Sequence, residues 1–79
     1  MNLAMIYSEL NDIGAPITEV FPASENTAGG ILVDSRYLVQ LSKRHHLPIL
    51  LDIVSDNGQI SEAAEFGSIQ DLVQYIMEN

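Results

Sequence analysis

The acidic segment from Asp52 to Phe66 is the part of the chain whose residue types and spacing come nearest to a metal site. Carboxylates placed around a glycine turn are the ligands of EF-hand calcium loops. With Gly58 as the turn glycine, however, the first ligand position falls at Ile53 and the last at Ala64, and neither has a side-chain oxygen. The segment therefore predicts an acidic β-hairpin, with calcium binding as a weaker alternative. Its carboxylates are Asp52, Asp56, Glu62 and Glu65.

Two neighbouring histidines, His45 and His46, are the next candidates, because neutral imidazoles bind zinc and act as general bases. Adjacent residues on a helix point about 100° apart, so both rings do not readily face one metal ion. The chain has no cysteine, which excludes a thiol nucleophile. No serine lies in a G-x-S-x-G context. We predict that the protein is not an enzyme and holds neither metal nor cofactor.

A pair of carboxylates that shares a proton could also carry acid–base chemistry, and Glu62 and Glu65 are the closest such pair in the hairpin. Side chains alternate between the two faces of a strand. Their three-residue spacing therefore predicts opposite faces on a strand, and on a helix it predicts a solvated pair. Neither arrangement favours catalysis.

All the basic residues lie between Arg36 and His46, and every other charge in the chain is negative. Arg36, Gln40, Lys43 and Arg44 have the three- and four-residue spacing of one exposed helix face. This pattern predicts a small cationic helix face near a helix C-terminus, where positive charge complements the dipole. Three cations against a net charge of −8 are too few to predict direct binding of nucleic acid.

Eleven Asp and Glu residues against three Lys and Arg make the acidic surface the remaining functional signal. Acidity alone keeps a small domain soluble, but it also steers association with a basic protein surface. In size and charge only, the chain resembles phage-encoded inhibitors such as anti-CRISPR and anti-restriction proteins, and nuclease immunity proteins. The hypothesis is a stoichiometric inhibitor of a nucleic-acid-binding or nuclease complex. The candidate partner-binding residues are Asp52, Asp56, Glu62, Glu65, Glu25, Arg36, Lys43 and Arg44.

A second hypothesis is a self-associating structural or regulatory subunit. The run from Leu3 to Tyr7 is entirely apolar, so one helix cannot bury all of it against a single sheet, and a homodimer through this helix would cover the rest. The lack of cysteine favours a reducing cytoplasm. No segment approaches the roughly 20 apolar residues of a membrane span.

The elements that position these residues follow from periodicity. A helix is predicted over 2–13, ended by Gly14, and an edge strand over 17–21. The loop-like stretch 22–30 is a candidate partner contact, and a short buried strand follows at 31–33. A second helix from Asp34 or Ser35 through about His45 is expected, with Leu38 and Leu41 facing inward and Tyr37 as a further candidate for that face.

The second half of the chain carries the clearest signals. A strand is predicted over 49–54, a type I′ turn at Asn57-Gly58 and a final helix capped by Ser68. Residues 59–66 are predicted to form the returning strand, because Gly58 and Gly67 bracket a length that matches its partner. A helix is the alternative, because Glu62-Ala63-Ala64-Glu65 favours one. The order α-β-β-α-β-β-α predicts one α+β domain over residues 1–79. It would have about four short strands in one sheet, with the helices packed on one face.

Overall fold

Five strands form one antiparallel sheet, and a helix precedes and follows it in the chain. The computed structural model describes residues 2–25, 28–43 and 46–78. Within that part the elements are α1 (Leu3–Asp12), β1 (Ile17–Phe21), β2 (Gly30–Val33), β3 (Tyr37–Leu41), β4 (Ile49–Val54), β5 (Ile60–Phe66) and α2 (Ile69–Glu78). The strands lie in chain order across the sheet, so each connection is a hairpin-type link between neighbours.

Both helices begin where local chemistry predicts, and α1 also ends there. The side chain of Asn2 accepts a hydrogen bond of 2.9 Å from the Met5 N–H and so caps α1. Gly14, with a φ of +77°, lies just past the end of that helix. Ser68 caps α2 as predicted, since its Oγ accepts from the Asp71 N–H at 3.2 Å.

The predicted second helix is wrong: its first part is strand β3. Asp34 and Ser35 both have a φ of +54°, and the Arg36 N–H donates to the Val33 carbonyl at 3.2 Å. Positive φ at both central positions is the signature of a type I′ hairpin turn, not of a helix cap. Beyond it Tyr37 and Val39 are buried while Leu38 between them is not, which is the two-residue period of a strand.

The α+β class is confirmed, with five strands rather than four and two helices rather than three among the described residues. Both helices pack on the same sheet face, as predicted. We call this side the helix face and the other the open face. One cluster on the helix face holds all the buried apolar side chains of the described residues: Ile6, Leu10, Ile31, Val33, Tyr37, Val39, Ile49, Leu51 and Leu72.

The acidic hairpin forms from β4 and β5, as predicted, but with a different turn. Within that turn only Gly58 has positive φ, at +83°, and Ser55 and Gln59 close a three-residue loop through the Ser55 N–H and the Gln59 carbonyl at 2.8 Å. The loop therefore has three residues and ends in a residue with left-handed backbone geometry, instead of the two residues of a type I′ turn. The turn therefore needs left-handed geometry at Gly58 alone.

Candidate acidic interface on the open sheet face

One cross-strand row runs over the open face through all five strands. The register pairs Glu19 with Leu32, Leu32 with Leu38, Leu38 with Asp52, and Asp52 with Glu62. Residues paired across antiparallel strands point to the same face. The open face therefore has two leucines in the middle and carboxylates toward both edges.

A second row lies beside the first and adds another carboxylate. Gln40 pairs with Leu50, and Leu50 pairs with Glu65. Glu65 thus stands on the same face as Asp52 and Glu62. We call Asp52, Glu62 and Glu65 the acidic cluster.

The prediction that Glu62 and Glu65 lie on opposite faces is wrong, and a β-bulge is the reason. Leu51 pairs with Ala64 whereas the next residue, Asp52, pairs with Glu62, so Ala63 is an extra residue in β5. An extra residue reverses the alternation of side chains beyond it. Without the bulge, Glu62 would point to the helix face, and the acidic cluster would not form.

Within the cluster, Asp52 is partly buried and pairs with Glu62 on the next strand. Partial burial raises the pKa of its carboxyl above the ordinary value of 3.8, and the negative charge of Glu62 on the next strand raises it further. Ionisation of Asp52 is therefore less favourable in the folded protein than in the unfolded chain.

The fourth carboxylate of the hairpin, Asp56, lies in the turn and not in the cluster. The turn is held by the Gln59 N–H, which donates to the Ser55 Oγ at 3.1 Å and to the Asn57 Oδ1 at 3.1 Å. Asp56 makes none of these bonds and is exposed. It extends the negative charge past the end of β4.

The basic residues do not form the predicted helix face. Arg36 belongs to the β2–β3 turn, where its guanidinium carbon lies 4.8 Å from the centre of the Tyr37 ring. Gln40 is in β3 and lies on the open face, and Lys43 is exposed beyond the other end of that strand. The extended backbone of β3 thus separates Arg36 from Lys43, and Arg44 lies outside the described residues.

Glu25 is exposed in the connection between β1 and β2, away from the acidic cluster. Part of the 22–30 stretch, Asn26 and Thr27, lies outside the described residues. Gly29 holds the base of this connection close to β1: a Cβ on Gly29 would stand 2.5 Å from the Phe21 carbonyl oxygen.

Within the described residues, no group of three or more His, Asp or Glu side chains is arranged to hold a metal ion. His46 is exposed, and His45 lies outside the described residues. No described helix is long and apolar enough to span a membrane.

Sequence reasoning missed two parts of this face. The sequence predicts β1 but not the strand that pairs with it, so it does not indicate that Glu19 lies on the open face. The predicted second helix places Leu38 on its buried side, whereas β3 places it on the open face. The strand-favouring residue types at Tyr37 and Val39 are the available signal, although the apolar run from Tyr37 to Val39 also permits a helix.

Comparison with protein-family models, with curated proteins and with solved structures finds no match to this chain.

Proposed function

We propose that the protein binds a basic surface of another protein through its open sheet face and acts stoichiometrically, without turnover. The observation that carries the proposal is the cross-strand row. It places the acidic cluster beside Leu32 and Leu38, with Glu19 beyond them. Apolar contact area flanked by charge is the composition of a protein interface with a defined partner.

The dimensions of the row indicate the shape of the partner. Neighbouring strands are about 4.8 Å apart, so Glu19 on β1 and Asp52 on β4 are separated by about 14 Å. A helix is about 10–12 Å wide with its side chains. A basic helix could therefore lie over the two leucines and direct Lys or Arg side chains toward carboxylates on both sides.

A partner that holds nucleic acid is the best match to this charge distribution. Such proteins present clustered Lys and Arg to the phosphate backbone, and a fixed set of carboxylates competes for the same cations. We therefore propose an inhibitor of a nucleic-acid-binding or nuclease complex, of the kind that phage anti-CRISPR, anti-restriction and immunity proteins represent. A cysteine-free chain suits the reducing cytoplasm in which such a complex works.

The test is affinity capture from the native host with the wild-type protein and with two triple variants of equal net charge. The first variant carries Asp52→Asn, Glu62→Gln and Glu65→Gln, on the open face. The matched control carries the same kind of changes on the helices at Glu9, Asp12 and Glu78.

The wild type and the helix variant should capture the same nucleic-acid-binding protein, and the open-face variant should associate at least about tenfold more slowly. The complex should weaken between about 50 mM and about 500 mM salt. Equal loss in both variants would mean that net charge alone drives the contact. Recovery of only a homodimer that salt does not weaken would favour self-association through α1 instead.

A further inference from the structure

Strand β1 forms one edge of the sheet, and half of it is shaped to receive another strand. It pairs with β2 alone. A register shift at Thr18 bulges its first half, where the Thr18 Oγ accepts a 2.8 Å hydrogen bond from the Ser35 N–H. From Glu19 to Phe21 the strand is regular, and no described segment pairs with its outer side. An unprotected edge of this kind is a template for strand addition.

An apolar cleft of about 430 Å³ opens beside this part of β1. α1 forms one wall and the end of β1 with the residues after it forms the other. The lining residues that matter here are Ala4, Tyr7, Val20, Phe21 and Ala23. The close approach of Gly29 to the backbone of residues 21–23 holds the second wall in place.

Large apolar side chains are exposed on both sides of the same edge. Val20, which pairs with buried Ile31, is 47% exposed, and Phe21, on the open face, is 40% exposed. Tyr7 on the facing helix is also 40% exposed. An added strand would cover Val20 with one set of its side chains and Phe21 with the alternate set.

The charge of the residues around this edge indicates what kind of segment binds there. The first 35 residues contain no Lys, Arg or His, and they supply α1, β1 and β2, which surround the edge. Glu19 and Glu25 are exposed beside it. A second copy would bring the same uncompensated negative charge to the edge, and like charges across strands are destabilising. A cationic segment of a different protein complements it.

We propose that the edge of β1 binds an extended segment of another protein, in which basic and apolar residues alternate, by β-strand addition. The main chain of the segment pairs with the outer side of Glu19–Phe21. One apolar side chain enters the cleft next to Val20, and the neighbouring basic residue reaches Glu19 on the open face. Pro22 ends the paired region because it has no N–H to donate.

This contact differs from the open-face interface in its driving force and in most of its residues, although Glu19 belongs to both. Backbone hydrogen bonds and the cleft select an extended segment, whereas the acidic cluster is on β4 and β5 at the other side of the sheet. Phe21 and Glu19 border both surfaces, so one partner could occupy both. Either contact can also fail alone.

The probe is an end-capped octapeptide of alternating lysine and valine, titrated into the isotope-labelled full chain and followed by amide NMR shifts. A peptide of the same composition with lysines and valines in two blocks is the control for charge without alternation. Binding with a dissociation constant below about 1 mM should shift the amides of β1 and of the cleft, and the block peptide should bind more weakly. The outward amides of β1 should gain protection from hydrogen exchange.

Two exposed substitutions test the mechanism without touching the core. Ala4→Phe fills the cleft and should weaken binding of the alternating peptide about tenfold, because the peptide then loses the free energy of burying one apolar side chain. Glu19→Lys should also weaken it and reduce its salt dependence. Glu78→Lys, on α2 and away from both proposed surfaces, makes the same change in net charge as Glu19→Lys. It is the control and should leave this affinity unchanged.

Three results would overturn the proposal. The peptide shifts could map to the acidic cluster rather than to β1, which would leave the open-face interface standing alone. The block peptide could bind as tightly as the alternating one. Sedimentation could show a homodimer of the free protein that Ala4→Phe dissociates, which would make a second copy the occupant.

Discussion

The contact between Asp52 and Glu62 gives the sharpest test of the structure, because the two carboxylates oppose each other on neighbouring strands. In the structure, burial and the charge of Glu62 raise the pKa of Asp52. Glu62→Gln removes one of the two charges with little change of shape. We expect this substitution to stabilise the folded protein at neutral pH.

The magnitude follows from the register. Directly opposed residues have Cβ atoms about 4.5–5.5 Å apart, which places the two carboxylates at about 6 Å. Two unit charges at about 6 Å repel by about 0.7 kcal/mol in bulk water and by about 2.8 kcal/mol at an effective dielectric constant of about 20. Since Glu62 is exposed, solvent screening favours the lower limit, and we expect a gain of about 1 kcal/mol. For a domain of this size that is a rise in Tm of about 4–8 °C.

The assay is urea unfolding of the wild type, Glu62→Gln, Asp52→Asn and the double variant at pH 7. Each single substitution relieves the same repulsion, so their effects should not add, and the second should gain less in the presence of the first. Additive effects would mean that the two carboxylates do not interact. A loss of stability in Glu62→Gln would contradict the pairing of Asp52 with Glu62 itself.

Further expected outcomes concern pH, a buried hydroxyl and a turn. Because the pKa of Asp52 is raised in the folded state, ionisation of Asp52 lowers the free energy of unfolding. Asp52→Asn should therefore be more stable than the wild type at pH 7. Thermal melts should show this difference disappear as the pH falls below the ordinary pKa range of Asp. The Tyr37 hydroxyl is buried without a hydrogen-bond partner among the described residues, so Tyr37→Phe should be neutral or stabilising by up to about 1 kcal/mol in urea titrations; a clear loss would reveal a partner for the hydroxyl. Ser35→Gly should stabilise by about 1 kcal/mol, because glycine adopts the positive φ at that position without strain; no gain in Tm would argue against the type I′ geometry.

Sequence periodicity predicted the parts of the fold whose signals are local. Helix α1 with its glycine stop, strand β4 and the capped helix α2 depend on spacing and on turn residues within a few positions. β3 was missed because Asp34-Ser35 is also a common helix cap, and the residues after it permit either period. What decided the structure was pairing of Tyr37 and Val39 with strands on both sides, which is not visible within the segment itself.

The candidate interface was predicted only in part, for a related reason. Its acidic residues could be named from composition, but whether they share a face depends on strand register. A single extra residue at Ala63 brings Glu62 and Glu65 onto one face, and alanine carries no signal for a bulge. Glu19 joins the same row only because all five strands lie in chain order.

The division between the two sheet faces explains how a small domain can carry this much uncompensated charge. Every fully buried apolar side chain of the described residues lies in the cluster on the helix face, so hydrophobic stabilisation is concentrated there. The open face adds partly exposed leucines and a set of carboxylates whose mutual repulsion reduces stability.

A substitution such as Glu62→Lys should therefore separate the stability of the fold from the binding of a partner. It replaces a repulsive cross-strand pair with an attractive one and raises Tm, while it reduces the attraction for a basic partner. Glu9→Lys on α1 makes the same change in net charge away from the open face and is its control. If Glu62→Lys raised Tm and left the association rate with the captured partner unchanged, the acidic cluster would lower stability without contributing to binding.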